Sequence, residues 1–289
     1  MTIQSQDPQA LDGGSLASID LSIGFIGAGN MANAIIAGLV KAGWPKNKIY
    51  ASNPSFPKLE ALNQSHGIGI TQDNQQLAEK VDFLVLAVKP QKLGNVCSEI
   101  KSVDLSNKLI ISVAAGWPIS KIESSLEQPL AVVRCMPNTP AFVGEGASGL
   151  FANKQVSESQ QKVTTQIFAA IGKTSWLESE YLMDTVTAIA GSSPAYFFLM
   201  MQSMIEAAKS SGMPEETAFN LITQAMKGAA SLAQATPEKS LEQLRKEVTS
   251  PGGTTAAAIA SFKSDQFEDI VSKAVKASIQ RGKELGQLK

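Results

Sequence analysis

Two glycine-led stretches of this chain have the residue types and spacing to hold anions. The first is Ile23-Gly24-Phe25-Ile26-Gly27-Ala28-Gly29-Asn30-Met31-Ala32. An apolar run leads into it and helical spacing follows, so it reads as strand, G-x-G-x-x-A, helix. Gly27 permits the tight turn, Gly29 lets the backbone approach a pyrophosphate, and Ala32 lets helix and strand pack closely. The free N–H groups and the dipole of the helix start would face the anion. The chemistry indicated is dinucleotide binding. The flanking strand and helix set the stretch apart from a bare glycine turn.

The next strand ends in Tyr50-Ala51-Ser52-Asn53-Pro54-Ser55. A site selective for a free ribose 2′-hydroxyl usually carries Asp or Glu near this point. Here the groups are neutral: Ser52, Asn53 and Ser55, with Lys58 close behind. They favour a 2′-phosphate, hence NADPH. No arginine is present, so use of NADH stays open, and Asn-Pro and Ser are also ordinary turn formers. A third run, Ala87-Val88-Lys89-Pro90-Gln91, ends a strand that begins near Asp82. Ligands of parallel sheets bind beyond the carboxyl ends of the strands, so Ala87, Val88, Lys89 and Pro90 are expected to line the same groove. Lys89 taken alone would also read as a solvated surface lysine.

The second anion-holding stretch is Val248-Thr249-Ser250-Pro251-Gly252-Gly253-Thr254-Thr255-Ala256. A helix ends, a Ser-Pro-Gly-Gly loop turns, and a new helix starts at Thr254 or Thr255. The glycines expose successive N–H groups, and the helix start adds its positive end. Together they can hold a carboxylate without an arginine. Taken alone, the stretch reads first as an ordinary helix start after a tight turn.

Other chemistry is scarce. The chain has one histidine, His66, and two remote cysteines, Cys97 and Cys135. His66 is expected in a polar loop before the third strand, away from both motifs. A histidine-dependent hydroxy-acid dehydrogenase is not expected, and no metal site is assigned. Tyr196 and Met200, one helical turn apart, read as packing residues. Two isolated cysteines suggest a reducing compartment rather than a disulfide framework.

These groups need elements to position them. From residue 21 to about 133, short β-rich runs at 21–26, 48–52, 82–88, 109–113 and 130–134 alternate with helical stretches, the first at 30–41. That alternation argues for an α/β fold, a Rossmann-type parallel sheet covered on both faces. After about residue 153 the strand signals vanish. Helical segments follow at 157–171, 183–190, 194–211, 214–234, 241–248, 254–261 and 268–285. Pro194 and Pro214 sit at helix starts, where the missing N–H costs nothing. The expected organisation is a leader over 1–20, a dinucleotide-binding domain over 21–153 and an all-helical domain over 154–289.

Hydrophobic residues make up 44% of the chain and charged residues 18%, the profile of a globular rather than a disordered protein. The net charge is −1 and no Lys/Arg cluster stands out, so neither nucleic acid nor an anionic membrane is an expected partner. The first twenty residues lack the basic start and apolar core of a secretory signal. No apolar run reaches the roughly 18 residues of a membrane span. A cytoplasmic location is the expectation.

The 244–263 stretch, centred on Ser250-Pro251-Gly252-Gly253-Thr254-Thr255, resembles the signature of the pyrroline-5-carboxylate reductase family nearly position by position. Gly27 to Met31, in the form G-A-G-N-M, and Ala87 to Gln91, in the form A-V-K-P-Q, are similar too. So are Arg134-Cys135-Met136-Pro137-Asn138-Thr139-Pro140 with Val143-Gly144-Glu145-Gly146, and Asp184-x2-Thr187-Ala188 leading to Gly191-Ser192-x-Pro194-Ala195-Tyr196. The resemblance runs from about residue 22 to 262. It implies hydride transfer from NAD(P)H to the C=N carbon of 1-pyrroline-5-carboxylate, giving L-proline in the last step of proline biosynthesis. It implies that Gly27, Ala28, Gly29, Asn30, Met31, Ser52 and the run from Ala87 to Pro90 bind the dinucleotide, with Asn74 on the adenosine side. Ser250, Gly252, Gly253 and Thr255, in a loop that takes in Pro251 and Thr254, would bind the carboxylate and the ring nitrogen. Thr255 and Ser250 would stand closest to the chemistry. The helical domain would interleave with that of a partner chain, giving an obligate homodimer with assembly to a decamer left open.

A protonated imine already accepts hydride well, so such an enzyme needs to bind and orient it rather than bring a strong base. Thr255 is the best candidate to hydrogen-bond the ring nitrogen, with the 250–255 amides holding the carboxylate. One departure is Ser193, where the family commonly has Gly. A competing reading is a hydroxy-acid dehydrogenase using a helical-domain lysine, Lys209 or Lys227. Another is a dinucleotide sensor without turnover, against which the intact Ser-Pro-Gly-Gly-Thr-Thr loop argues.

Overall fold

The computed structural model describes residues 20–287. Of the expected leader only Asp20 falls among them; the rest lies outside the described residues. Among the described residues, eight strands form the sheet: β1 (Ile23–Ile26), β2 (Ile49–Ser52), β3 (Gly69–Thr71), β4 (Phe83–Leu86), β5 (Leu109–Ser112), β6 (Ala131–Met136), β7 (Gly146–Ala152) and β8 (Gly172–Trp176). The central ones, β1, β4 and β5, are apolar runs buried on both faces, as parallel strands require. The strand order is β3-β2-β1-β4-β5-β6-β7-β8. Every pairing is parallel except β6 with β7. The order reverses between β1 and β4, the place where such sheets open a ligand crevice.

Successive side chains point to opposite faces, so the sheet has two cores. Phe25, Val85, Ile111 and Val133 share one with Ile35 and Leu39 of α1 (Asn30–Lys41), Leu59 of α2 (Phe56–His66) and Phe168 of α6 (Glu158–Ala169). Leu84, Leu86, Ile110 and Val132 share the other with Leu77 of α3 (Asn74–Lys80), Cys97 of α4 (Pro90–Ile100) and Ile122 of α5 (Ile119–Leu126). Each fully buried side chain of this size contributes about 1.5–3 kcal/mol. The two cores fix where the strand ends stand.

Several features differ from expectation: β3 and β7 form where no strand run is expected, and β7 runs antiparallel to β6. The sheet continues past residue 153: after β7, α6 crosses and β8 joins the edge. Its sequence, Gly-Lys-Thr-Ser-Trp, alternates between half-buried and exposed positions and holds no apolar run, so no strand signal marks it. His66 lies in the last turn of α2 rather than in a loop, with Gly67 closing the helix in the left-handed conformation. After α6 and β8 the chain forms α7 (Met183–Val186) and a π-helical turn, Thr187–Gly191. Asn138 ties this turn to the sheet: its Nδ2 donates to the Ala190 carbonyl at 3.0 Å and its Oδ1 accepts from the Ala147 N–H at 2.8 Å. Ser193 opens α8 (Ser193–Ser210) with ordinary helical backbone, so the departure from glycine there carries no strain.

Residues 193–277 form a second compact unit, while 278–287 group with the first. The second unit holds α8 (Ser193–Ser210), α9 (Glu215–Ala235), α10 (Leu241–Glu247), α11 (Thr254–Ser264) and most of α12 (Phe267–Gln287). Within it only Ser193, Pro194 and Ala218 are buried. Phe197, Phe198, Leu199, Phe219, Leu221 and Phe262 are all more than 40% exposed. A helical unit with so little core and so much exposed apolar surface needs a further surface to cover it.

Candidate active site

The carboxyl ends of β1, β2 and β4 are stitched together by backbone hydrogen bonds. Gly27 N–H donates to the Ser52 carbonyl at 2.8 Å, and Ala87 N–H donates to the Ile26 carbonyl at 2.9 Å. Gly27 has φ +113°, which disfavours any side chain. Gly29 is the N-cap of α1, with no side-chain cap and no acidic residue in the first turn. A Cβ there would meet nothing within 4 Å, so the space before the helix start is open. Ala32 is fully buried against the sheet, as the third motif position requires. Ala28 and Met31 are half-buried, and Asn30 is exposed at the rim.

A second helix starts at the same sheet edge. Lys89 is the N-cap of α4, in extended backbone, with Pro90 at the first helical position and no side-chain cap. The Lys89 side chain is exposed, while Ala87, Val88 and Pro90 are half-buried. Two uncapped helix N-termini therefore border the crevice between β1 and β4, and both favour an anion. The residues present fit a dinucleotide pyrophosphate: glycine backbone, open space, no carboxylate in either first turn.

At the end of β2, Ser52 is fully buried and its Oγ donates to Asn74 Oδ1 at 2.6 Å. Asn74 Nδ2 donates in turn to Glu99 Oε2 at 2.5 Å. Asn53 is half-buried beside the glycine turn, with Oδ1 3.4 Å from the Ala28 nitrogen. The structure thus gathers Gly27, Ala28, Gly29, Asn30, Met31, Ser52, Asn53, Asn74, Ala87, Val88, Lys89 and Pro90 at one end of the sheet. Glu99 is the member that sequence reasoning missed. It stands on the far turn of α4, 25 residues from Asn74, and nothing local marks it.

In the second unit, Ser250 to Gly253 form a tight turn with Pro251 and Gly252 at its centre. Gly253 N–H donates to the Ser250 carbonyl at 3.0 Å, and Gly252 takes φ +71°. Proline followed by a left-handed glycine is the type II pattern. Gly253 is then the N-cap of α11, without a side-chain cap and without an acid in the first turn. Ser250, Pro251, Gly252, Thr254 and Thr255 are exposed and Gly253 is half-buried. The loop is a third glycine-led, uncapped helix start. Lys209, by contrast, is paired with Glu215 at 2.8 Å and Glu206 at 3.3 Å. Its hydrogen bond to Glu215 leads the effects that raise its pKa, so it stays an ammonium ion rather than a proton acceptor.

A family model described as pyrroline-5-carboxylate reductase dimerisation matches residues 180–285, and one described as NADP oxidoreductase, coenzyme F420-dependent, matches residues 22–116. The pyrroline-5-carboxylate reductase of Vibrio alginolyticus is 45% identical over 266 residues, covering 92% of this chain and 98% of that protein. The chain belongs to the pyrroline-5-carboxylate reductase family. The family's enzyme from Pseudomonas aeruginosa is 44% identical, covering 92% of this chain and 97% of its own length. The solved reductase from Coxiella burnetii superposes with a TM-score of 0.88 at 42% identity, covering 93% of this chain and 99% of that one. The Plasmodium falciparum reductase, solved with NADP bound, superposes at 0.83 with 33% identity, covering 93% and 99%. The family's dimerisation segment takes in the whole second unit, which carries those exposed apolar side chains. Among the described residues no helix is long and apolar enough to cross a membrane, and no three His, Cys, Asp or Glu side chains cluster to hold a metal ion.

Proposed function

We propose that this protein reduces 1-pyrroline-5-carboxylate to L-proline, the last step of proline biosynthesis. The observation that carries this reading is the pair of glycine-led, uncapped helix starts at Gly29 and Gly253, in a chain 45% identical to a pyrroline-5-carboxylate reductase along nearly its whole length. The first suits a dinucleotide pyrophosphate and the second a small carboxylate.

Bound NADPH, or NADH, supplies the hydride for the C=N carbon. Gly27, Ala28 and Gly29 form the turn that lets the pyrophosphate approach, and Asn30 and Met31 offer it the free backbone N–H groups at the start of α1. Asn53 and Asn74 take the adenosine ribose end, with buried Ser52 holding Asn74 from beneath, and Ala87, Val88, Lys89 and Pro90 line the crevice beside α4. Ser250, Pro251, Gly252, Gly253 and Thr254 form the turn, and its N–H groups outside the Gly253–Ser250 hydrogen bond, those of Gly252, Thr254 and Thr255, hold the substrate carboxylate, with the Ser250 hydroxyl close to the reacting ring. The Thr255 hydroxyl accepts a hydrogen bond from the protonated ring nitrogen and so orients the C=N bond. As the new C–H bond forms, the π electron pair of C=N passes to that nitrogen, which already holds its proton. No base is needed in the hydride step, which suits a site built of amides and hydroxyls.

The dinucleotide contacts all fall in the 21–153 segment, and we assign substrate binding and dimerisation to the 154–289 segment. The working form is a homodimer, with a decamer as the higher assembly, in the cytoplasm, acting on a small molecule and on neither nucleic acid nor membrane. The test is NADPH and NADH oxidation by the purified chain with 1-pyrroline-5-carboxylate, with L-proline assayed as product. Proline formation with either cofactor supports the reading. A folded, dimeric protein that oxidises neither would end it.

A further inference from the structure

The end of β2 lacks the acidic side chain that holds a ribose 2′-hydroxyl in many dinucleotide folds. A carboxylate nevertheless reaches the same place from another element. Glu99 lies on the last turn of α4, Asn74 opens α3 and Ser52 ends β2. Asn74 Nδ2 donates to Glu99 Oε2, and Ser52 Oγ donates to Asn74 Oδ1. An ionised carboxylate only accepts hydrogen bonds, so the amide must turn its NH2 group toward Glu99. Asn74 Oδ1 then faces Ser52 and takes the single hydrogen of that hydroxyl. Ser52 has no exposed surface, whereas Asn74 is half-buried and Glu99 exposed. Along the hydrogen-bonded chain Ser52–Asn74–Glu99, the polar groups left at the surface are the second N–H of Asn74 and the carboxylate of Glu99.

A ribose 2′-hydroxyl suits both groups: it can accept from the amide and donate to the carboxylate. A 2′-phosphate suits the amide alone and is repelled by the carboxylate, because it has no proton to donate as a dianion. We propose that Glu99 is a positioning residue that sets dinucleotide preference. Through Asn74 it fixes the donor and acceptor pattern at the end of β2, and by its charge it restrains selection of the phosphorylated cofactor, keeping NADH usable. The proposal rests on the assignment of the β2 end to the adenosine ribose.

The test is the ratio of NADP+ to NAD+ affinity, read by titration calorimetry on the full chain, together with the ratio of kcat/KM for NADPH and NADH. Glu99→Gln keeps the size and an acceptor for Asn74 but removes the charge. Both ratios should move toward the phosphorylated cofactor by about threefold to tenfold, the scale of one partly screened charge interaction. Glu99→Lys should move them further the same way, with the change carried by KM for NADPH. A merely structural role would weaken both dinucleotides equally. Equal weakening, or ratios within about twofold of the parent protein in both variants, overturns the proposal. The calorimetric ratio needs no imine substrate. If dinucleotides bind but 1-pyrroline-5-carboxylate is not reduced, the substrate reading falls while Glu99 is still judged on binding; if neither dinucleotide binds, both fall together.

Discussion

A Cβ placed on Gly27 would stand 2.6 Å from the carbonyl oxygen of Ala87, inside any real contact distance. The turn after β1 and the end of β4 therefore touch backbone to backbone, and the crevice keeps its shape only while residue 27 is glycine. Gly29, two residues on, differs: its backbone is extended, φ −87° and ψ −180°, and the space in front of it is open. The two glycines should separate folding from binding. Gly27→Ala should cost roughly 2–4 kcal/mol of stability through overpacking and left-handed strain. Gly29→Val should cost under about 1 kcal/mol, the range of an unfavourable N-cap change. It should still lower dinucleotide affinity by about tenfold or more, because its methyl groups occupy the pyrophosphate's place. Urea titration and calorimetry with NADP+ read the two effects. Equal losses of stability in both variants would contradict the distinction.

Arg134 is buried and its Nη1 meets Glu180 Oε1 at 2.8 Å, while the same oxygen accepts the Ile119 N–H at 2.7 Å. One carboxylate thus neutralises a guanidinium on β6 and serves the start of α5, which has no side-chain cap of its own. Removing it leaves a buried charge unpaired. Glu180→Ala should destabilise by about 2–3 kcal/mol, less than for a fully buried pair because the Glu180 side chain retains 28% exposure. Arg134→Met combined with Glu180→Leu should recover most of that loss. Denaturation at one fixed protein concentration, since assembly adds to apparent stability, measures both. A double variant as unstable as Glu180→Ala alone would remove the unpaired charge as the cause.

The two glycine motifs were legible because their chemistry is local. Gly27, Gly29, Gly252 and Gly253 lie within a few residues of the helix starts they open, and spacing alone specifies the turn. The strands β1, β4 and β5 were legible as apolar runs for the same reason. β8 was not, because a half-exposed edge strand such as Gly-Lys-Thr-Ser-Trp needs no hydrophobic pattern. Nor was the role of Ser52: in sequence it reads as a free hydroxyl, and only the approach of α3 and α4 shows it buried beneath Asn74. Glu99 joins that group through a contact spanning 25 residues, which no local pattern encodes. Long-range polar pairs of this kind, Arg134 with Glu180 among them, are fixed by tertiary packing after the strands and helices are in place.

His66, the single histidine of the chain, has Nε2 2.7 Å from Asn33 Oδ1, joining the end of α2 to α1. Partial burial is the main cause, and Lys46 the second, of a pKa lowered from the ordinary 6.5. The folded state thus favours the neutral ring. The stability that His66 contributes is complete above the ordinary value and is lost as pH falls through the lowered folded one. The lone imidazole signal in a proton NMR titration should show a midpoint below 6.5. Thermal stability of His66→Gln should converge on that of the parent protein only at acid pH. A midpoint above 6.5 would reverse the sign and refute the burial argument.

Thr255 stands at the second position of α11, exposed, and its hydroxyl has no hydrogen-bond partner among the described residues. A hydroxyl with no structural bond can be removed without cost to the fold, so substitution there isolates its chemical role. Thr255→Val keeps the branched shape and the volume. If the hydroxyl accepts from the protonated ring nitrogen, its loss removes a hydrogen bond to a charged group, about 1.5–3 kcal/mol. That corresponds to roughly a tenfold to hundredfold fall in kcat/KM for 1-pyrroline-5-carboxylate. Dinucleotide affinity and melting temperature should stay at parent values, since the crevice of the first unit is untouched. Thr255→Ser retains the hydroxyl and should recover most of the activity. Full activity in Thr255→Val would take the residue out of the reaction and leave the Ser250 hydroxyl to orient the ring.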